Sequence, residues 1–114
     1  MLDRYVIGEV NRISPEAPVP VLTVHEEKAV AGGAANVALN IRSLGAQVES
    51  IGWFGQDDRG NELVEILQNK EILVDQEFRF SSTATISKSR VTASNHQICR
   101  VDREAKSEHY QPDL

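Results

Sequence analysis

Two adjacent glycines, Gly32 and Gly33, stand immediately before the clearest helical period in the chain, and no other feature restricts the fold so strongly. Ala34, Val37, Ala38, Ile41 and Leu44 recur at the three- and four-residue spacing of a helix, and Gly45 follows where a C-terminal stop belongs. The pattern predicts a helix of about eleven residues opened by the diglycine. Glycines at a helix start let a ligand approach the backbone closely and leave N–H groups directed outward. Asn36, in the first turn, adds a donor and an acceptor that suit a sugar hydroxyl. The same pair could instead make only a tight turn, and local grounds do not separate the two readings.

The segments beyond this helix set the class. Residues 47–54 are short and partly β-branched, and read as one strand running into a loop at Gly55. Asp57 and Asp58 then supply N-cap chemistry for a second helix, whose apolar face is Leu63, Ile66 and Leu67 and which ends at Asn69-Lys70. Adjacent acids at a helix start are read as caps, not as a catalytic pair. The centre of the chain is therefore α/β. Its flanks are strand-like. Pro15, Pro18 and Pro20 cannot donate to a central ladder, so residues 14–24 read as an edge strand entered through extended chain.

Residues 83–92 and 97–102 read as a strand pair joined by Ala93-Ser94-Asn95-His96, forming a separate small sheet. Apart from Ile86, Val91, Ile98 and Val101 its alternation is polar on both faces, so a ligand or a partner subunit must cover it. Lys88 and Arg90 share one strand face, where they could meet an anion or guard an exposed edge. By parity Gln97 and Arg100 point to opposite faces. The signal fades at Ala105-Lys106-Ser107-Glu108.

Several function classes are excluded or made poor. Twelve Lys and Arg against seventeen Asp and Glu leave a net charge of -5, which argues against a general nucleic-acid binder and leaves room for a local basic pocket. No apolar run approaches the roughly 20 residues that cross a bilayer, and no signal-peptide pattern opens the chain, so no membrane partner is expected and the cytoplasm is the expected compartment. A lone Cys99 builds no disulfide framework, and His25, His96 and His109 lack a paired spacing, so no metal site is expected. Neither a G-x-G-x-x-G fingerprint nor a G-x-x-x-x-G-K-[ST] loop occurs; a nucleotide, if bound, is held another way.

Spacing makes the diglycine segment more specific than its glycines. From Gly32-Gly33 through Ala34, Asn36, Ala38, Gly45 and Gly55 the chain resembles the N-terminal signature of the PfkB, or ribokinase-like, carbohydrate kinases, and the resemblance covers nearly the whole chain. Met1-Leu2-Asp3-Arg4-Tyr5 and residues 12–21 resemble the branch of that family that acts on heptose 7-phosphate. The resemblance implies an α/β chain that is the N-terminal part of a ribokinase-like three-layer fold with a small β-sheet lid. Lid strands are expected over residues of about 5–30 and 83–102, and the α/β part over about 31–80. It also implies transfer of the γ-phosphate of ATP, with Mg²⁺, to a hydroxyl of a sugar phosphate, and a homodimer paired through the lids.

By the same resemblance Asp3 accepts hydrogen bonds from sugar hydroxyls, and Gly32, Gly33 and Asn36 form the sugar-contact motif. Lys88 and Arg90 become the cations that read the substrate phosphate, Arg90 being favoured for its planar fork. The family's anion-hole motif, catalytic base and most of its ATP site have no counterpart up to Leu114, so the chain reads as a fragment that holds neither ATP nor Mg²⁺ by itself and is inactive alone. Two alternatives stay open: another PfkB sugar kinase, against which residues 1–5 and the proline stretch speak, and a non-catalytic sugar-binding or dimerisation module.

Overall fold

The computed structural model of the chain describes residues 1–80, 83–106 and 109, so Ser107 and Glu108, where the sequence signal fades, lie outside the described residues. Strand β1 (Leu2–Ile13) turns back through residues 14–19 into β2 (Pro20–Ala31), and the two pair antiparallel from Leu2 opposite Ala31 to Ile13 opposite Pro20. The Ser14 N–H donates to the Val19 carbonyl at 2.8 Å and closes the turn. Pro15 and Pro18 fall in that turn and Pro20 opens β2, an edge strand, where a missing N–H breaks no inner ladder. Gly8 sits at a register irregularity, and a Cβ there would collide with the backbone of Thr23, so only glycine lets the two long strands stay paired past this point.

Helix α1 (Ala34–Ser43), β3 (Glu49–Ser50), β4 (Phe54–Gly55), α2 (Asp58–Gln68), β5 (Leu73–Val74) and β6 (Arg79–Phe80) follow before β7 (Ser87–Ala93) and β8 (His96–Arg103). Gly33 precedes α1 and Gly45 follows its Leu44 cap at φ 95°, the left-handed stop that the spacing predicts. The single strand expected over residues 47–54 is instead two. β3 pairs in parallel with β5, β4 pairs in parallel with β6, and the exposed Ile51-Gly52-Trp53 separates them. Gly52 has no side chain to pack and weakens a continuous strand at this point.

A second expectation is corrected by the sheet. β7 and β8 do not form a separate small sheet: β7 runs parallel to β1, with Leu2 opposite Ser87 and Gly8 opposite Ala93, giving the order β2-β1-β7-β8. The parallel pairing is possible because the helical segment between the strands provides the crossover that a parallel pair requires. The β7–β8 turn is made by Ser94 (φ 50°) and Asn95 (φ 64°), the two positive angles that suit a tight hairpin with right-handed twist.

The core lies where this sheet meets the helices. Leu2, Ala31, Ala35, Ala38, Leu63, Leu67 and Ile72 form one buried cluster. Alanines at 35 and 38 let α1 lie close to β2, while Val37, Ile41 and Leu44 of the periodic set remain exposed. Truncating a core side chain such as Leu67, 2% exposed, costs about 2–5 kcal/mol. Among the described residues no helix is long and apolar enough to cross a membrane.

Candidate sugar-binding face of the sheet

Arg4 decides which face of β1 is free. Its guanidinium reaches Glu62 of α2 at 2.9 Å, so the even positions of β1 face the helices and the odd positions, Asp3 and Tyr5, face away. Register then collects neighbours. Asp3 lies opposite Val30 on one side and Lys88 on the other; Tyr5 lies opposite Lys28 and Arg90. One sheet face therefore carries Asp3, Tyr5, Lys28, Lys88 and Arg90.

The charges on this face are not equivalent. Arg90 donates to an Asp3 carboxylate oxygen at 3.1 Å, with side chains 28% and 15% exposed, and its guanidinium also lies 5.7 Å from the centre of the Tyr5 ring. Lys28 approaches the same ring at 5.5 Å. A cation over an aromatic face at such a site contributes about 0.5–1 kcal/mol, enough to hold the side chain in place and too little to quench its charge. The Lys88 side chain makes no ion pair or hydrogen bond among the described residues, although its backbone pairs with β1 and β8.

Gly32 and Gly33 abut this cluster for different reasons. A Cβ on Gly32 would lie 2.5 Å from Asp3 Oδ2, so the glycine gives the carboxylate its room. Gly33 takes φ 56° and ψ -129°, a backbone conformation that side-chain-bearing residues rarely adopt, and a Cβ there would meet only Met1 Cε, at 3.7 Å. No side chain caps α1 and no acid stands in its first turn. Asn36 is exposed in that turn, three residues after Gly33. The structure thus brings Asp3, Gly32, Arg90 and Lys88 together, with Gly33 and Asn36 at the adjoining helix start.

The parity expectation for β8 is corrected. An irregularity between Val91 and Thr92 sets Gln97 opposite Thr92 and Arg100 opposite Arg90, so both belong to one face because Thr92 and Arg90 do. Arg100 is engaged with Asp102 at 2.9 Å. Sequence reasoning missed Tyr5 and Lys28, although alternation from Asp3 and back from Gly32 marks both as facing the same way.

Asp57 is the N-cap of α2, accepting from the Gly60 N–H at 2.8 Å, and it also accepts from the Thr85 hydroxyl at 2.6 Å and the Thr85 N–H at 2.9 Å. Burial pushes its carboxyl up, but the hydroxyl and amide of Thr85, the Gly60 amide and the Arg59 charge outweigh it and hold the carboxyl below the ordinary aspartate value. Elsewhere, a hollow of about 520 Å³ opens between Arg42, Gln47, Val48, Glu49, Glu71 and Leu73. It lies beyond the C-terminal end of α1, away from Gly33, and Arg42 there is committed to Glu71 at 2.6 Å. Among the described residues no cluster of three or more His, Cys, Asp or Glu could hold a metal ion.

Residues 1–114 match the model of the pfkB family carbohydrate kinases along their whole length. The chain belongs to the PfkB family. The bifunctional protein HldE of Coxiella burnetii (strain RSA 331 / Henzerling II) is 47% identical over 111 residues, which is 97% of this chain and 23% of that protein. HldE of Haemophilus influenzae (strain PittEE) is 49% identical over 105 residues, 91% of this chain and 22% of that protein. This PfkB chain thus spans less than a quarter of the length of these curated relatives.

Its fold is ribokinase-like. A carbohydrate kinase from Agrobacterium tumefaciens superposes with a TM-score of 0.70 at 23% identity, over 89% of this chain and 32% of that one. The ADP complex of ribokinase from Cryptococcus neoformans var. grubii gives 0.62 at 21% identity, over 90% and 31%. The mixed sheet and two helices form the N-terminal part of that fold.

Proposed function

We propose that this chain forms the acceptor-sugar side of a PfkB-type kinase that transfers the γ-phosphate of ATP to a hydroxyl of a sugar phosphate, heptose 7-phosphate being the acceptor the reading favours. The observation that carries it is the charge arrangement on the sheet face. Asp3 is a mostly buried carboxylate whose second oxygen faces Gly32, a suitable acceptor for paired hydroxyl donors. Arg90 neutralises and orients Asp3, so it is not the free reader of a phosphate. Lys88, whose side chain makes no ion pair among the described residues, and Lys28, held over Tyr5, put two cations beside the sugar position, with Glu26 and Asp102 the acids that share their face. A neutral sugar needs no such cations; a sugar carrying a phosphate dianion does. The likeness of residues 1–5 and 12–21 to the heptose branch, and the identity with the HldE proteins, support the heptose among sugar phosphates.

Phosphoryl transfer asks chiefly for positioning, charge neutralisation and a base at the acceptor hydroxyl. The residues on this face contribute the first of these: they bind and orient the acceptor, and no base or ATP-holding group is assigned among them. The test uses the full-length protein with ATP and heptose 7-phosphate, ribose or fructose, following ADP release. Selective turnover of the sugar phosphate supports the reading; equal or greater turnover of the unphosphorylated sugars refutes it.

A second reading, a homodimer joined through the sheet, is favoured by β8. All of its residues are exposed, including Ile98 and Val101, and residues 9–13 and 20–24 project as a ribbon past the end of β7. Pairing of two such sheets would cover this surface. The two readings are compatible.

A further inference from the structure

Thr85 lies two residues before β7 and is fully buried, although it is polar. Its hydroxyl donates to Asp57 Oδ1 at 2.6 Å and accepts from the Gly55 N–H at 2.9 Å, while its own N–H donates to Asp57 Oδ2 at 2.9 Å. Gly55 is held from its other side, its carbonyl accepting from Arg79 at 3.0 and 3.2 Å, and Arg79 also donates to Asn61 of α2 at 2.7 Å. Glycine is required twice: a Cβ on Gly55 would meet the backbone of Thr83 and Thr85, and one on Gly60 would meet the Gly55 carbonyl and the Thr85 hydroxyl. The stretch from Gly55 to Gly60 and the chain just before β7, about 30 residues apart in sequence, are thereby locked at one residue.

An N-cap needs only one carboxylate oxygen, and Asp57 uses Oδ1 for that purpose on Gly60. The further bonds to Thr85 go beyond what that cap requires. They fix where β7 begins, since the Ile86 carbonyl next in line accepts from Leu2 N–H at 2.9 Å and Lys88 then falls opposite Asp3. A slip of one residue would turn Lys88 and Arg90 to the helix side of the sheet.

We propose that Thr85, gripped by Asp57 and Gly55, is a positioning residue of the sugar site, setting the register of β7 and so the placement of Lys88 and Arg90 against Asp3. The proposal rests on the reading of this face as the acceptor site. Thr85 touches no substrate; its action passes through the strand. Thr85→Val keeps the shape and removes the hydroxyl, leaving the Gly55 N–H without its acceptor and Asp57 without its closest donor. Thr85→Ser keeps the hydroxyl.

The experiment measures sugar-phosphate KM, ATP KM and amide hydrogen exchange in the full-length protein for wild type, Thr85→Val, Thr85→Ser and Asp57→Asn. Expected for Thr85→Val is a rise in sugar-phosphate KM of about tenfold, the scale of one buried hydrogen bond, at unchanged ATP KM. Exchange should quicken in residues 87–93 and stay slow in the interior of α2, and Thr85→Ser should restore both values. Unchanged exchange in residues 87–93 of Thr85→Val overturns the proposal, as does quickened exchange with an unaltered sugar KM. If Thr85→Val does not fold, Asp57→Asn decides by the same two readouts. Failure of the kinase reading itself is separate, appearing as no sugar turnover in wild type, and the exchange result still judges the grip on β7.

Discussion

Replacing Gly32 by alanine tests whether the diglycine serves the sugar site or only a turn. Gly32 has no positive φ, so its backbone accepts alanine, and the cost comes from contact alone. The new methyl would lie 2.5 Å from Asp3 Oδ2, 2.8 Å from Asp3 Cγ and 2.9 Å from Met1 Cε, where ordinary contact begins at 3.4 Å. The carboxylate must therefore retreat by about 0.9 Å, since the Asp3 backbone is fixed in β1 and the Gly32 N–H is tied to the Met1 carbonyl at 3.0 Å. Leaving its rotamer costs about 0.5–1.5 kcal/mol. The Arg90 hydrogen bond, now 3.1 Å, lengthens, and because both partners are part-exposed its loss adds at most about 1 kcal/mol. Stability should thus fall by about 1–2 kcal/mol, which leaves the protein folded.

Binding should suffer more than folding. A carboxylate displaced by that distance loses at least one of its hydroxyl partners, each worth about 1.5–3 kcal/mol, so sugar KM should rise about tenfold to a hundredfold. Steady-state kinetics on the full-length protein, with ATP and sugar phosphate varied separately, reads this directly. Thermal unfolding of the same sample confirms that the variant is folded. A folded Gly32→Ala protein whose sugar KM stays within about twofold of wild type would refute the placement of Asp3 and Gly32 in the site.

Gly55→Ala should be worse for stability than Gly32→Ala, because the added Cβ meets the backbone of Thr83 and Thr85 and not a movable side chain; a thermal midpoint equal to that of Gly32→Ala would contradict this. Asp57, whose folded carboxyl lies below its ordinary value of 3.8, contributes stability that is present above that value and lost as pH falls through the lowered one. Denaturant titrations across that acid window should show a flatter pH dependence for Asp57→Asn, and an unchanged slope would show that Asp57 is not the titrating group. Lys88→Ala should weaken the sugar phosphate about tenfold to a hundredfold and spare the unphosphorylated sugar, whereas Arg90→Ala should weaken both through Asp3; equal loss in both variants would contradict the division of roles. Sedimentation of the full-length protein at micromolar concentration should give a dimer, and a monomer would exclude pairing through the sheet.

Local signals gave the helices and one edge strand, because their causes are local. Gly45 closes α1, Asp57 caps α2 and Pro20 belongs at an edge wherever the chain runs. The sheet was less legible. Nothing between Thr83 and Asp102 states that β7 pairs with β1 at a distance of more than eighty residues; polar alternation alone suggested a sheet apart. The strand over residues 47–54 divided because its halves pair with β5 and β6 separately, a tertiary choice that overrides continuous β-propensity. In α1 the period was right and the burial was not: Ala35 and Ala38 are inside, whereas Val37 and Ile41 are 55% and 44% exposed.

The site shows the same limit in its charges. Lys88 and Arg90 are readable as neighbours on one strand face, and guanidinium geometry makes Arg90 the better partner for a phosphate. That preference takes no account of what else Arg90 can reach. Parallel pairing sets β7 beside Asp3 and Tyr5, and Arg90 then spends one N–H on the carboxylate and its planar face on the ring. With Asp3 and Arg90 paired, and Arg100 engaged by Asp102, the cations of this face without a side-chain ion pair are Lys88 and Lys28, contributed by the strands flanking β1, with Glu26 two residues from Lys28 on the same face. Those two strands lie about 10 Å apart, so on the proposed reading a phosphate over β1 would sit between them, with the sugar along β1 toward Asp3 and Gly32. Which cation is free is a property of pairing, and pairing is the part of this fold that the local sequence does not encode.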